Sequence, residues 1–80
     1  MIVDAHNVDA DALLQPLAVN GPAAARLLGV SARTWRRLNA AGLVPQALRV
    51  GGSKRWSVAE LRGWIEAGCP ARARWVQLRG

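Results

Sequence analysis

The chain has 80 residues, which is the length of one small domain. Its single cysteine excludes an internal disulfide and a multi-cysteine metal site. No stretch approaches the roughly 20 apolar residues of a membrane span, and the N-terminus has no signal-peptide pattern, so we expect a soluble cytoplasmic protein.

The charge is distributed unevenly along the chain. Residues 1–20 contain three acids and no base, whereas residues 21–80 hold all 11 bases against two acids, a net charge of +9. A compact domain with that excess has an electrostatic field suited to a polyanion. Nucleic acid is favoured over an acidic membrane surface, because no segment forms a long amphipathic basic helix.

Residues 1–16 scatter Asp and Asn among small apolar residues and are predicted to be a flexible N-terminal segment. For His6 an incidental surface histidine is favoured over a metal ligand, because no partner pattern surrounds it. The first helix begins near Asn20-Gly21-Pro22, where Asn20 or Gly21 can cap it, and ends at Gly29. Its predicted apolar face comprises Ala23, Ala24, Leu27 and Leu28.

The second helix is predicted to lie between Ser31, a good N-cap, and Gly42, which suits the left-handed residue past a helix end. Trp35 and Leu38 share one face. The opposite side is rich in arginine and carries Arg33, Arg37 and Ala40, with Arg36 at its border. Two short helices joined by a glycine turn are a helix-turn-helix signal. The arginine face suits a DNA major groove, and the alternative is an ordinary solvated charged face.

A β-hairpin is predicted next, because Gly51-Gly52-Ser53 separates two short runs, residues 47–50 and 54–56. Alternation predicts that Leu48 and Val50 face inward while Arg49 faces outward. A hairpin with a glycine apex and basic arms is a wing. The alternative is a surface hairpin that its charges keep soluble.

A third helix starts at the capping box Ser57-Val58-Ala59-Glu60 and ends at Gly68-Cys69-Pro70, where Cys69 is expected to be a small packing residue. This third helix carries a stripe of residues expected to face the core, Val58, Leu61, Trp64 and Ile65. Together the four tryptophans of the chain are expected to supply much of that core. Residues 71–80 form a basic tail whose spacing fits either a helical turn or a strand. Its arginines either contact DNA or are solvated; they are Arg72, Arg74 and Arg79.

An ordered series of short motifs between Asn20 and Gly68 resembles the small winged helix-turn-helix domain of AlpA-type phage regulators and excisionases, a relative of the MerR DNA-binding domain. The motifs are Ala25-Arg26-Leu27-Leu28-Gly29-Val30-Ser31, Thr34-Trp35-Arg36-Arg37, Gly42-Leu43-Val44-Pro45, Arg49-Val50-Gly51, Arg55-Trp56, Glu60-Leu61 and Trp64-Ile65. The resemblance implies a mostly α fold with a small β-hairpin, three helices plus a wing. The domain is expected over residues 17–70.

The resemblance implies sequence-specific binding of double-stranded DNA, as an excisionase that directs recombination or as a small transcription regulator. It also implies a place in the bacterial cytoplasm, in association with the nucleoid. The expected contacts in the recognition helix are Ser31, Arg33, Thr34, Arg36 and Arg37, and those in the wing are Arg49, Ser53, Lys54 and Arg55. Because so small an interface binds weakly alone, a second copy or a recombinase is an expected partner. The alternative is an adaptor whose basic face meets an acidic protein. No catalytic, metal or cofactor residues are expected.

Overall fold

The computed structural model describes residues 15–80, so the predictions for residues 1–14, including the one for His6, lie outside the described part. The elements are β1 (Ala18–Val19), α1 (Gly21–Leu28), α2 (Ala32–Ala40), β2 (Leu48–Val50), β3 (Ser53–Ser57), α3 (Val58–Glu66) and α4 (Arg72–Arg79). The strands form one antiparallel sheet in the order β1-β3-β2. The mostly helical winged helix-turn-helix predicted from the sequence is confirmed.

Helices α1 and α2 begin and end where local chemistry predicts. The Asn20 side chain accepts a hydrogen bond from the backbone N–H of Ala23 at 2.9 Å, and the Ser31 hydroxyl accepts one from Thr34 at 3.0 Å. Gly29 ends α1 with φ of 76°, a left-handed conformation that glycine adopts without the steric strain that a Cβ atom causes. The chain therefore turns within three residues from α1 into α2, which fixes the helix-turn-helix geometry.

The core is built around tryptophans from four different elements. The Trp35 and Trp56 rings meet edge to face, with centroids 5.3 Å apart and planes at 83°. The indole N–H of Trp56 donates to the carbonyl of Pro45 at 2.8 Å, and that of Trp64 to the carbonyl of Pro70 at 2.7 Å. The other buried apolar residues are Ala24, Ala25, Val44, Leu61 and Trp75.

Residues 71–80, which the sequence left between a helical turn and a strand, form helix α4. Trp75 is buried in the core, and its indole N–H donates to the Glu60 carboxylate at 2.9 Å. The same carboxylate forms a salt bridge with Arg79. The predicted capping box therefore forms only in part. The Ser57 hydroxyl accepts from the Glu60 N–H at 3.0 Å, but the Glu60 side chain binds α4 instead of the Ser57 backbone.

Several apolar residues that were predicted to pack are exposed. Leu48 and Val50 are 48% and 57% exposed, so the predicted facing of the hairpin is wrong. The buried Trp56 on β3 decides which face of the sheet packs against the core, and Leu48 and Val50 lie on the opposite face. Other predicted packing residues that lie exposed are Leu27, Ile65 and Cys69. Within residues 15–80, no helix is long and apolar enough to cross a bilayer.

Candidate nucleic-acid interface

Helix α2 presents the arginine face that its sequence pattern predicts. Trp35 is buried on the inner side, whereas Arg33, Arg36 and Arg37 are exposed. Among residues 15–80, none of the three guanidinium groups makes a hydrogen bond or an ion pair with another residue. Their donors are therefore available to an external acceptor.

The first turn of α2 has one free hydroxyl proton. The Ser31 hydroxyl accepts from the Thr34 N–H and donates its own proton to the Thr34 side-chain oxygen at 3.0 Å. Ser31 is thus used in capping the helix. The proton of the Thr34 hydroxyl remains available to an acceptor that approaches the positive end of the helix dipole.

Strands β2 and β3 form the wing, which we define as residues 48–57. The turn Gly51-Gly52 has φ values of 58° and 91°, the signs that a type I′ hairpin requires at both central positions. Arg49 lies directly opposite Lys54 in the register, and Leu48 lies opposite Arg55. The two cations of the first pair therefore share one face of the wing.

The predicted wing residues are divided between the two faces. Lys54 alternates with Arg55 along β3, so Arg49 and Lys54 lie on the side of the buried Trp56, while Ser53 and Arg55 lie on the other. The Arg49 guanidinium donates to the Gly52 carbonyl at 3.2 Å, and that of Arg55 donates to the Lys54 carbonyl at 2.8 Å. The structure thus brings only two of the four wing residues next to α2.

A cavity of about 410 Å³ separates the C-terminal end of α2 from the wing. It is lined by Asn39, Ala40, Gln46, Ala47, Arg49, Lys54 and Arg72. Ala40 belongs to the same helical stripe as Arg33 and Arg37. The arginine face of α2 therefore continues into a cavity with three cationic residues and no acid in its lining.

Arg72, for which the sequence left a DNA contact and a solvated charge as alternatives, is half-buried and bound to other residues of this site. Its Nε donates to the carbonyl of Val44 at 2.9 Å, and its Nη2 donates to the carbonyl and side-chain oxygens of Asn39 at 3.2 and 2.8 Å. Its backbone N–H also donates to the Gly42 carbonyl at 3.0 Å. Arg72 thus binds the carbonyl end of α2 across 33 residues of sequence, and no local pattern marks it.

Residues 15–80 contain two acidic side chains. The part of the chain that the structure describes has no group of three His, Cys, Asp or Glu side chains able to hold a metal ion. Of the two acids there, Glu60 is bound to α4 and Glu66 is exposed on α3. The exposed charge is therefore dominated by cations.

Comparison with known families supports this interpretation of the fold. A family model described as a helix-turn-helix domain matches residues 22–69, which extend from α1 to the end of α3. No curated protein and no solved structure matches the chain. The resemblance to small helix-turn-helix domains of the AlpA and excisionase type is confirmed by this match, which indicates DNA binding.

Proposed function

Since the chain belongs to the helix-turn-helix domain family, we propose that it binds double-stranded DNA in a sequence-specific manner. In this proposal α2 enters the major groove and the wing lies against the sugar-phosphate backbone. The observation that carries the proposal is the arginine face of α2, whose guanidinium groups make no hydrogen bond or ion pair with residues 15–80. Within that part of the chain this face continues, with no acid between, into the cationic side of the wing.

The arginines of α2 are the proposed readers of base sequence. An arginine presents a fork of donors that matches O6 and N7 of guanine, and each good pair contributes about 1–3 kcal/mol of discrimination. Arg33 and Arg37 lie on the centre of the exposed face, and Arg36 lies at its border. We assign base contacts to the first two and either a base or a phosphate contact to Arg36.

The first turn of α2 and the wing are the proposed contacts to the DNA backbone. Thr34 donates its free hydroxyl proton to a phosphate, and Ser31 holds the Thr34 oxygen in place. Lys54 and Arg49 contact phosphate from the inner side of the wing, and Arg55 and Ser53 do so from the outer side. These contacts position the protein on the duplex without specifying sequence.

Two biological roles agree with this mode of binding. One is an excisionase-type factor that bends DNA and directs a recombinase, and the other is a transcription regulator. A domain of this size presents a small interface, so either role is expected to use adjacent sites, a second copy or a partner protein to reach useful affinity. Several closely spaced sites with strong bending indicate the first role, and one operator in a promoter indicates the second.

The test is selection of preferred duplexes from a random pool, followed by anisotropy titrations of the selected and a scrambled duplex. With about four to six phosphates neutralised, log K is expected to fall with log salt at a slope of about −4 to −5. Arg33→Gln and Arg37→Gln are expected to lose discrimination between the two duplexes. The control is Arg62→Gln, which removes an exposed charge from α3, away from this face.

The proposal fails if the wild-type protein binds no duplex in low salt. A basic face that ignores DNA indicates instead an acidic protein partner. If wild type, Arg33→Gln and Arg37→Gln discriminate equally between the selected and the scrambled duplex, α2 does not read the base sequence.

A further inference from the structure

The cavity between α2 and the wing has the composition of an anion site. Three cationic side chains reach it from three separate elements: Arg49 on β2, Lys54 on β3 and Arg72 on α4. We propose that it binds one phosphate-type oxyanion, with Lys54 and Arg49 as ligands and Arg72 as the residue that prepares the site. This assignment rests on the proposed function: the oxyanion is one backbone phosphate of the bound duplex.

The wing places two like charges directly opposite each other. Cβ atoms of opposed residues in an antiparallel pair lie about 4.5–5.5 Å apart, and like charges there are destabilising. Arg49 faces Lys54 in this way, and within residues 15–80 no acid pairs with either side chain. An oxyanion between the two cations converts their repulsion into two attractive contacts.

Arg72 removes the negative potential that would otherwise repel an anion here. The C-terminal end of a helix carries roughly half a negative charge on its unpaired carbonyls. The guanidinium of Arg72 donates to the carbonyl of Asn39 in the last turn of α2 and to that of Val44 in the following loop, and so places a positive charge beside these oxygens. This positive charge therefore lowers the repulsion that an anion would meet near the C-terminal end of α2.

The same contact orients a donor. The Asn39 side-chain oxygen accepts from Arg72 at 2.8 Å, so the amide nitrogen is the end of that group that remains to donate. The cavity also has sufficient room: one water needs about 10–15 Å³ on this measure, and the cavity, which is half open to solvent, offers about 410 Å³. A phosphate group and several waters fit.

The proposed site differs from a wing contact common to the family, because one of its three cations lies outside the family match. Residues 22–69 match the helix-turn-helix model, and Arg72 follows them on α4. The docking of α4 through Trp75 places this arginine at the end of α2. The anion site therefore depends on residues 71–80.

The first experiment titrates the whole protein with sodium phosphate against sodium chloride at equal ionic strength, followed by amide and arginine NMR signals. Phosphate is expected to shift Lys54, Arg49 and the Asn39 side-chain amide, and chloride is not. Lys54→Gln is expected to weaken phosphate binding at least fivefold. The matched control is Arg74→Gln, which removes an exposed charge from α4 outside the cavity.

Arg72 acts by preparing the site, so its variant needs a readout beyond stability. Arg72→Gln, studied well below its melting temperature, is expected to shift the Asn39 amide signal before phosphate is added and to weaken phosphate binding. Arg72→Lys restores the charge and is expected to recover part of the affinity. If Arg72→Gln does not fold, Lys54→Gln and Arg49→Gln decide the proposal.

The second experiment identifies the source of the phosphate. Each phosphate of the selected duplex is replaced in turn by a neutral methylphosphonate. One position is expected to weaken the wild type more than Lys54→Gln, which keeps Arg49 as a ligand, and to leave the Lys54→Gln/Arg49→Gln double variant unaffected. The double variant is expected to reduce the salt slope by about 0.9. Phosphate shifts without any coupled position overturn the assignment to DNA.

The outcomes separate this proposal from the proposed function. Specific duplex binding with no phosphate shift and no coupled position overturns the anion site and leaves DNA binding intact. Phosphate binding in the cavity with no duplex binding overturns the proposed function and shows that the site takes a free oxyanion.

Discussion

A comparison of substitutions at Trp35 and Trp56 measures how much one buried hydrogen bond contributes to the free energy of unfolding. The two indoles are 1% and 4% exposed and touch edge to face. The Trp56 N–H donates to the Pro45 carbonyl at 2.8 Å, whereas the buried Trp35 N–H has no hydrogen-bond partner among residues 15–80. Substitution by phenylalanine removes a similar apolar volume at both sites.

We therefore expect Trp56→Phe to be the more damaging change. A buried carbonyl that loses its donor costs about 1–3 kcal/mol, whereas removing an unpaired N–H carries no such penalty. Because both substitutions leave a cavity of similar size, the free energies of unfolding of the two variants are expected to differ by about 1–2 kcal/mol. In a domain of this size 1 kcal/mol corresponds to roughly 4–8 °C in Tm.

The assay is urea unfolding followed by circular dichroism, with Tm as a second measure. DNA affinity at low temperature is the control, and it is expected to be equal for both variants because neither ring reaches the surface. Equal stability of the two variants, or a less stable Trp35→Phe, would show that the Pro45 hydrogen bond does not contribute as the geometry indicates.

Three further results are expected. Arg33→Gln and Arg37→Gln should leave the free energy of unfolding within about 0.5 kcal/mol of wild type, because both side chains are exposed; a larger loss would show that the arginine face packs. Ser57→Ala should cost about 1 kcal/mol by removing the cap of α3, and an unchanged urea midpoint would contradict that. Trp75→Ala should cost about 3–5 kcal/mol, while Val76→Ala, an exposed control on the same helix, should cost little; equal effects would exclude α4 from the core.

The elements that were predicted from the sequence are those that depend on neighbours within a few residues. The caps of α1 and α2 are hydrogen bonds between residues three apart, Asn20 to Ala23 and Ser31 to Thr34. The wing turn depends on two adjacent glycines that accept positive φ. The arginine face of α2 follows from helical periodicity once the helix has its ends. Its role in DNA binding stays a prediction.

Tertiary contacts decided what these local rules leave open. The alternation of side chains along β2 does not say which face of the hairpin packs on the core. The burial of Trp56 against Trp35 decides this, and it places Lys54 on the face directed towards α2. The helix α4 has no side-chain cap, and its position rests on partners 15 and 33 residues away, Glu60 and Asn39. Such pairs meet only after the chain has folded, because their energy depends on a distance in space that no spacing along the sequence encodes.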